Sequence, residues 1–256
     1  MEMLDPTMLI ILGLVAFAAG FIDAVAGGGG MLTVPALLSI GLPPHLALGT
    51  NKLSATFASS TAAFTYYKKR LFTPEFWYRS FIATLIGAIS GTLAVNVIST
   101  DWLEKLLPLI ILATAVYTIF HKSPKENHND MPDFDAKTHK KQVIQGLTLG
   151  FYDGAIGPGT GAFWTVSNMA LYRMNILLSS GVAKAMNFTS NFTSLVTFAI
   201  LGHINWALGL TMGLCLMAGA YVGAHSAIRF GAAFIRPVFV TVVSVMAIKL
   251  AYEAWF

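Results

Sequence analysis

The sequence has few charged residues and a single cysteine. Only 11% of its 256 residues are charged, whereas 55% are hydrophobic, and the mean hydropathy is +0.67. A soluble domain could not cover its surface with so few polar groups, so lipid must be the main solvent. The lone Cys215 excludes a disulfide framework within the chain and a cysteine-based metal site. We therefore predict a membrane protein that uses no cofactor and no metal.

Apolar stretches recur along almost the whole sequence. A hydrocarbon core of about 30 Å needs about 20 helical residues, and the predicted spans are 7–26, 46–67, 76–98, 102–120, 143–156, 181–201, 206–228 and 237–252. The first span follows an acidic start with Glu2 and Asp5 and has no basic n-region, which predicts a retained helix rather than a signal peptide. Two further pieces, 31–40 and 162–172, are about half as long, and each follows a glycine cluster.

The sequence contains an internal duplication. Residues 20–23 read GFID and residues 150–153 read GFYD, and both are followed by a glycine cluster and a half-length apolar piece. Lys52 matches Lys184, and the segment GAISG from Gly87 matches GAYVG from Gly219. The offset stays between 130 and 132 residues throughout. We therefore predict a first transmembrane repeat at residues 1–121, a polar cytoplasmic linker at 122–140 and a second repeat at 141–256.

Loop charges determine the predicted orientation of the repeats. The net charge of +4 does not indicate nucleic acid, because the Lys and Arg residues lie in short loops where they set topology. Residues 68–70, the linker and Arg229 are predicted to be cytoplasmic, and the loops 99–101 and 202–205, which have no Lys or Arg, extracytoplasmic. The spans ending at 67 and 201 then run in opposite directions. We predict an all-α polytopic fold of two inverted repeats, each with about four transmembrane helices and one re-entrant half-helix, and with both termini extracytoplasmic.

The two glycine clusters are predicted to line an interior binding site. Non-helical backbone is not tolerated against lipid, because its amides would be unsatisfied. Each cluster precedes a short helix, whose free amides and positive dipole end attract an anion. The alternative is that the glycines only permit close helix crossing or a hinge. The candidate ligands in the clusters are Gly28, Gly29, Gly30, Gly159, Thr160 and Gly161.

Ionisable residues inside the apolar stretches form the second part of the candidate site. Asp23 and Asp153 precede the two glycine clusters, and Lys52 and Lys184 lie early in the spans that follow. The lysines are predicted to supply positive charge for an anion, while the aspartates organise the bends or relay a proton. The alternative is a structural ion pair between Asp and Lys in each half. Neutral hydrogen-bonding partners predicted on the same helices are Asn51 and Asn187.

At these motifs the chain resembles the TauE/SafE sulfite exporter family, also called the toluenesulfonate uptake permease family. The resemblance rests on residues 20–30 (GFIDAVAGGGG), 49–52 (GTNK), 150–154 (GFYDG) and 157–161 (GPGTG), and it extends over essentially the whole chain. It implies a carrier of the bacterial inner membrane for sulfite, organosulfonates or related small anions, coupled to an ion. The second half has Val182-Ala183 where the first has Thr50-Asn51, so the two sides of the site need not contribute equally.

We therefore predict a secondary transporter, not an enzyme, that moves a small anion across the lipid bilayer by alternating access. A passive anion channel is a second interpretation, which the sequence hardly separates from a carrier. An intramembrane aspartyl hydrolase built on Asp23 and Asp153 is a third, although both aspartates precede the glycines and two lysines would compete for them. A coupling proton or sodium ion and a homodimer stay open as partners.

Overall fold

The structure is a computed structural model of the 256-residue chain. It describes residues 6–103, 105–106, 109, 132, 135–231, 233–235, 237–238 and 241. Most of the predicted spans 102–120 and 237–252 and most of the predicted linker therefore lie outside the described residues.

Regular structure in the described residues is entirely helical, which confirms the predicted all-α class. The predicted spans and the half-length pieces within this part of the chain all form helices, with ends that differ from the predicted ones by a few residues. The helices are α1 Pro6–Ala26, α2 Gly30–Ser39, α3 Pro44–Lys68, α4 Pro74–Asn96, α5 Ala136–Ala155, α6 Thr160–Tyr172, α7 Ile176–Ile200 and α8 Trp206–Phe230.

Helix starts follow local capping signals in the sequence. Pro44 and Pro74 open α3 and α4, where the missing proline amide costs no intrahelical hydrogen bond. The side chains of Asn175 and Asn205 accept hydrogen bonds from the third residues of α7 and α8, at 2.8 and 3.2 Å, and so satisfy amides that the helix leaves free.

The start of α5 differs from the predicted start of its span. The apolar run begins at Val143, but the helix begins at Ala136, inside the predicted linker. Asp135 caps it, accepting a hydrogen bond from the Thr138 amide at 2.7 Å, and hydrogen bonds from Thr138 lower the pKa of the Asp135 carboxyl. Hydropathy alone missed this turn because its residues are polar.

The outer surface of the bundle is strongly apolar. Large hydrophobic side chains face outward along the helices, with Leu14 67% and Ile200 82% exposed, as expected where lipid replaces water as the solvent. Among the described residues, α1 from Thr7, α4 and α8 combine the length and apolar composition that a bilayer-spanning helix needs. Helices α3 and α7 are also long enough, at 25 residues each, but they are less apolar because they carry many buried polar side chains.

Glycines bring α4 of the first half against α5 of the second. A Cβ atom on Gly91 would lie only 2.0 Å from the carbonyl oxygen of Phe151, and one on Gly150 only 2.5 Å from that of Thr84. The two backbones therefore approach more closely than any side chain would permit.

The same contacts recur between α1 and α8 with the halves exchanged. A Cβ atom on Gly223 would lie 2.5 Å from the carbonyl oxygen of Phe21, and one on Gly20 would lie 2.1 Å from that of Leu216. Gly223 and Gly20 are the duplicated counterparts of Gly91 and Gly150. The two helix pairs therefore make equivalent glycine contacts, and each half supplies one helix to each pair.

Helices α3 and α7 pack in opposite directions at the centre of the bundle. A Cβ atom on Gly49, near the start of α3, would lie 1.9 Å from the carbonyl oxygen of His203, just after α7. Conversely, one on Gly181, near the start of α7, would lie 2.7 Å from the carbonyl oxygen of Leu71, just after α3. The start of each helix therefore lies beside the end of the other.

We expect Gly91→Ala to destabilise the protein by about 1–3 kcal/mol, because the new methyl group would force α4 and α5 apart. Gly13→Ala in α1 is the matched control, since its Cβ would make only an ordinary contact at 3.5 Å with Cys215 Sγ; a better helix former there should leave stability within about 1 kcal/mol. Thermal unfolding of both variants in detergent measures the difference. Equal stability would contradict the packing described here.

Candidate functional site

Both glycine clusters interrupt helical structure. Helix α1 ends at Ala26, and the chain turns at Gly27 with φ +80° before α2 begins at Gly30. Helix α5 ends at Ala155, and Gly157 and Gly159 adopt φ +94° and +81° before α6 begins. Side chains disfavour this left-handed conformation, so glycine is required at these turns.

The first bend, at residues 27–29, and the second bend, at residues 156–159, are in direct contact. The Ala162 amide donates a hydrogen bond to the Gly27 carbonyl at 3.2 Å, and a Cβ atom on Gly27 would lie 2.3 Å from the Gly161 carbonyl carbon. Across the junction, a Cβ atom on Gly30 would lie 3.2 Å from Pro158 Cα. Backbone therefore packs on backbone where the two half-length helices begin.

Several amides where the two bends meet have no protein partner within the described ranges of the chain. The N–H groups of Gly28, Gly159 and Gly161 donate to no protein acceptor among the described residues. The Gly29 amide, in contrast, donates to Asp23 Oδ1 at 3.2 Å, so Asp23 holds the first bend. Thr160 turns its hydroxyl back to the Gly157 carbonyl at 2.6 Å.

Lys52 and Asp153 form a buried ion pair. Lys52 Nζ lies 2.6 Å from Asp153 Oδ1, and the two side chains are 1% and 3% exposed. Lys52 also donates to the main-chain oxygen of Asp153, and the Ser190 hydroxyl donates to Asp153 Oδ2. A Cβ atom on Gly157 would lie 2.9 Å from Lys52 Nζ, so this neutral pair lies against the second bend.

Lys184 is equally buried but has no carboxylate partner. Its ammonium group donates to the main-chain oxygen of Asp23, and its side chain is fully buried. No Asp or Glu oxygen in the described part of the chain lies within 4.0 Å of Lys184 Nζ. A buried cation without a salt-bridge partner is costly, so we expect this position to favour an anionic ligand.

The difference between the two lysines has a local cause. Ser190 helps to orient Asp153 towards Lys52, whereas the equivalent residue in the first half is Ala58. Without that hydroxyl, the Asp23 carboxylate instead accepts the Gly29 amide. The lysine contacts also cross between the halves, so the alternative of an Asp–Lys ion pair within each half is wrong.

The two asparagines have different environments. Asn51 Oδ1 accepts the Thr33 hydroxyl, which ties α3 to α2. Asn187 lies beside the second bend, where a Cβ atom on Gly161 would be 2.9 Å from Asn187 Nδ2, and its Oδ1 atom is buried with no hydrogen-bond partner in the described residues. Thr33 is a contact that the sequence did not single out, since no motif marks it.

These contacts do not support an aspartyl hydrolase built on Asp23 and Asp153. Asp153 is held by Lys52 and Ser190, and Asp23 is held by a bend amide, so each carboxylate has its own partners rather than sharing a proton with the other. Among the described residues, no group of three or more His, Cys, Asp or Glu side chains is placed to hold a metal ion.

Interrupted helices that meet backbone to backbone, with buried lysines inside an apolar bundle, define a helical membrane transport protein. Comparison with known proteins agrees with that class. The family model described as sulfite exporter TauE/SafE matches residues 12–250, and the chain belongs to this family.

Relatives that match this chain over nearly their full length are named as probable transporters. The chain is 38% identical over 255 residues to a "Probable membrane transporter protein" of Haemophilus influenzae, with 97% of each chain covered. It is 37% identical to "Probable membrane transporter protein ORF9" of a Sinorhizobium species, over 95% of this chain and 92% of the relative. It is 33% identical to YfcA of Escherichia coli K12, over 98% and 93%. No solved structure matches the chain significantly.

We expect Lys52→Met to destabilise the protein by about 3–5 kcal/mol, because it leaves the Asp153 carboxylate buried and unpaired. Lys184→Met is the matched control, since it strands no carboxylate, and its loss should be much smaller. Adding Asp153→Asn to Lys52→Met should recover part of the stability. Thermal unfolding of the three variants in detergent tests this, and equal losses for the two single lysine variants would contradict it.

Proposed function

We propose that the protein is a secondary transporter of small anions, with sulfite, organosulfonates or related sulfur oxyanions as substrates. The observation that carries the proposal is Lys184, a fully buried cation without a carboxylate partner, beside two interrupted helices. The description of the family as sulfite exporters supports the choice of a sulfur oxyanion. We place the protein in a bacterial-type inner membrane on the same grounds.

Lys184 and the helix starts support an anionic substrate. The Lys52–Asp153 pair contributes no net charge. The Asp23 carboxylate at the first bend offsets part of the charge of Lys184 but forms no salt bridge with it, so the starts of α2 and α6 supply the remaining attraction for an anion. The start of each short helix adds a partial positive charge and free amides. In this proposal Lys184 and the free amides of Gly28, Gly159 and Gly161 bind the anion, with Asn187 beside them. Lys52 then has a structural and coupling role.

The packing supports two inverted repeats. The contacts of α4 with α5 recur between α8 and α1 with the halves exchanged, as a two-fold relation between the halves would produce. That two-fold relation would also interchange α3 and α7. Because these two helices run in opposite directions, the two-fold axis is perpendicular to them. Such an axis lies in the membrane plane when the helices cross the bilayer, which is the arrangement of inverted repeats.

The different partners of the two buried lysines support alternating access. Related halves can exchange conformations, and in inverted-repeat carriers this exchange moves the opening from one side of the membrane to the other. We propose that the opposite state brings Lys184 towards the Asp23 carboxylate and loosens Lys52 from Asp153. The substrate would then compete with Asp23 for Lys184, which gives binding a direct effect on the equilibrium between the two states.

We expect Lys184→Met to weaken binding of sulfite or methanesulfonate by about tenfold or more, since a hydrogen-bonded charge on the ligand loses its counter-charge. Binding to purified protein and saturable uptake into proteoliposomes measure this. Lys69→Met, at an exposed loop position, is the control and should behave as the unaltered protein. Unchanged binding in Lys184→Met would remove Lys184 from the site, and flux that never saturates would indicate a channel.

We expect cysteines at the far ends of the two short helices to face opposite sides of the membrane. Ser39→Cys, at the end of α2, should be labelled from the same side as Ser99→Cys, and Arg173→Cys, after α6, from the same side as Lys69→Cys. All four positions are exposed. An impermeant thiol reagent applied to intact cells or to inverted vesicles, with Cys215 replaced by Ser, makes the measurement. Labelling of Ser39→Cys and Arg173→Cys from one side would contradict the inverted, re-entrant arrangement.

A further inference from the structure

Three buried side chains on α7 carry polar atoms without partners. Ser180 Oγ, Asn187 Oδ1 and Ser194 Oγ find no hydrogen-bond partner among the described residues, although the side chains are only 1%, 4% and 0% exposed. Buried polar groups are nearly always hydrogen-bonded, because leaving one unsatisfied costs free energy. Unpartnered groups on one helix therefore indicate positions where something other than protein makes the hydrogen bond.

The three residues share one face of the helix. They are spaced seven residues apart, which is close to two turns, so their side chains point in nearly the same direction. At 1.5 Å per residue the row extends about 21 Å, a large part of a hydrocarbon core about 30 Å thick. Lys184 lies in the same row, four residues after Ser180 and three before Asn187, where side chains are neighbours.

The positions on α3 that correspond to these three residues are apolar. With the offset of 132 that relates Lys52 to Lys184, the counterparts of Ser180, Asn187 and Ser194 are Leu48, Ala55 and Ala62. The packing of the two halves is reciprocal, yet only the second half carries the polar row. Symmetrical helix packing does not require it, so the row serves a purpose that belongs to one half.

We propose that this face of α7 is the path of the transported oxyanion, with Ser180 and Ser194 as binding stations on either side of Lys184 and Asn187. The proposal rests on the proposed anion transport and adds two residues and a route to it. Hydroxyl and amide groups donate hydrogen bonds to sulfonate or sulfite oxygens without adding charge. An anion can therefore be held weakly along the row and most strongly at Lys184, as conduction between successive sites requires.

The test uses single cysteines on the two matched faces. In a Cys215→Ser background, Ser180→Cys and Ser194→Cys are compared with Leu48→Cys and Ala62→Cys, their counterparts on α3. The probe is a small methanethiosulfonate reagent that carries a sulfonate group, applied to the purified protein with and without methanesulfonate, which does not consume the reagent as sulfite would. We expect both α7 cysteines to react about tenfold faster than their α3 counterparts, and methanesulfonate to slow that reaction.

Three outcomes would overturn the route. The first is no reaction at the α7 cysteines, the second is equal reaction on both helices, and the third is reaction that methanesulfonate does not slow, which indicates water alone. The reactions are measured with Lys184 in place and report access to α7, so they separate this inference from the proposed function, which the Lys184→Met binding measurement tests. If the Lys184→Met variant loses sulfite binding while the α7 cysteines stay unreactive, the function stands and the route falls.

Removing the hydroxyl groups gives a second, independent measurement. Ser180→Ala and Ser194→Ala should fold normally, because neither hydroxyl bonds to a described residue, and each should weaken sulfite binding or slow its uptake by about tenfold. Ser59→Ala on α3 is the control, since the Ser59 hydroxyl is buried but satisfied by the Ala55 carbonyl at 2.7 Å. Uptake unchanged in both α7 variants would contradict their role as stations.

Discussion

The backbone contact between the two bends is the constraint on which the rest of the structure depends. Gly27 and Gly161 approach so closely that neither has room for a side chain, and this approach brings the starts of two short helices together inside the bundle. A helix start has free amides and a partial positive charge. Both are unfavourable in an apolar interior unless a ligand or polar group accepts hydrogen bonds from those amides. Close packing of glycine thus creates an unsatisfied site as a direct consequence of the fold.

Charge placement around the junction follows from the same need. Asp153 neutralises Lys52 next to the second bend, and Asp23 satisfies one amide of the first bend. Lys184 forms no salt bridge within the described residues, and the first half has Ala58 at the position equivalent to Ser190. The missing hydroxyl is one of the differences between the halves that distinguish the closed Lys52–Asp153 ion pair from Lys184.

The sequence allowed much of this arrangement to be predicted, because glycine and buried charge leave strong local signals. The helical class, the interruption at Gly27 and Gly157, and the residues that surround the junction all follow from composition and duplication. Partners across the two halves could not be predicted in the same way. A duplication says which positions are equivalent, but it does not say that Lys52 faces Asp153 rather than Asp23. The capped polar turn at Asp135 was missed because hydropathy does not register it.

Duplication and inequality have separate physical roles in this fold. Reciprocal glycine contacts give both halves the same packing, so two conformations related by exchanging the halves would have similar packing energies, and a small ligand would shift the balance between them, as the proposed alternating access requires. A substrate path needs no such equality. In the proposed route, the three unpartnered polar residues of α7, whose counterparts on α3 are apolar, let one half carry the path. The shared helix packing would then keep the symmetry that conformational exchange needs, while polar side chains on one helix supply the chemistry.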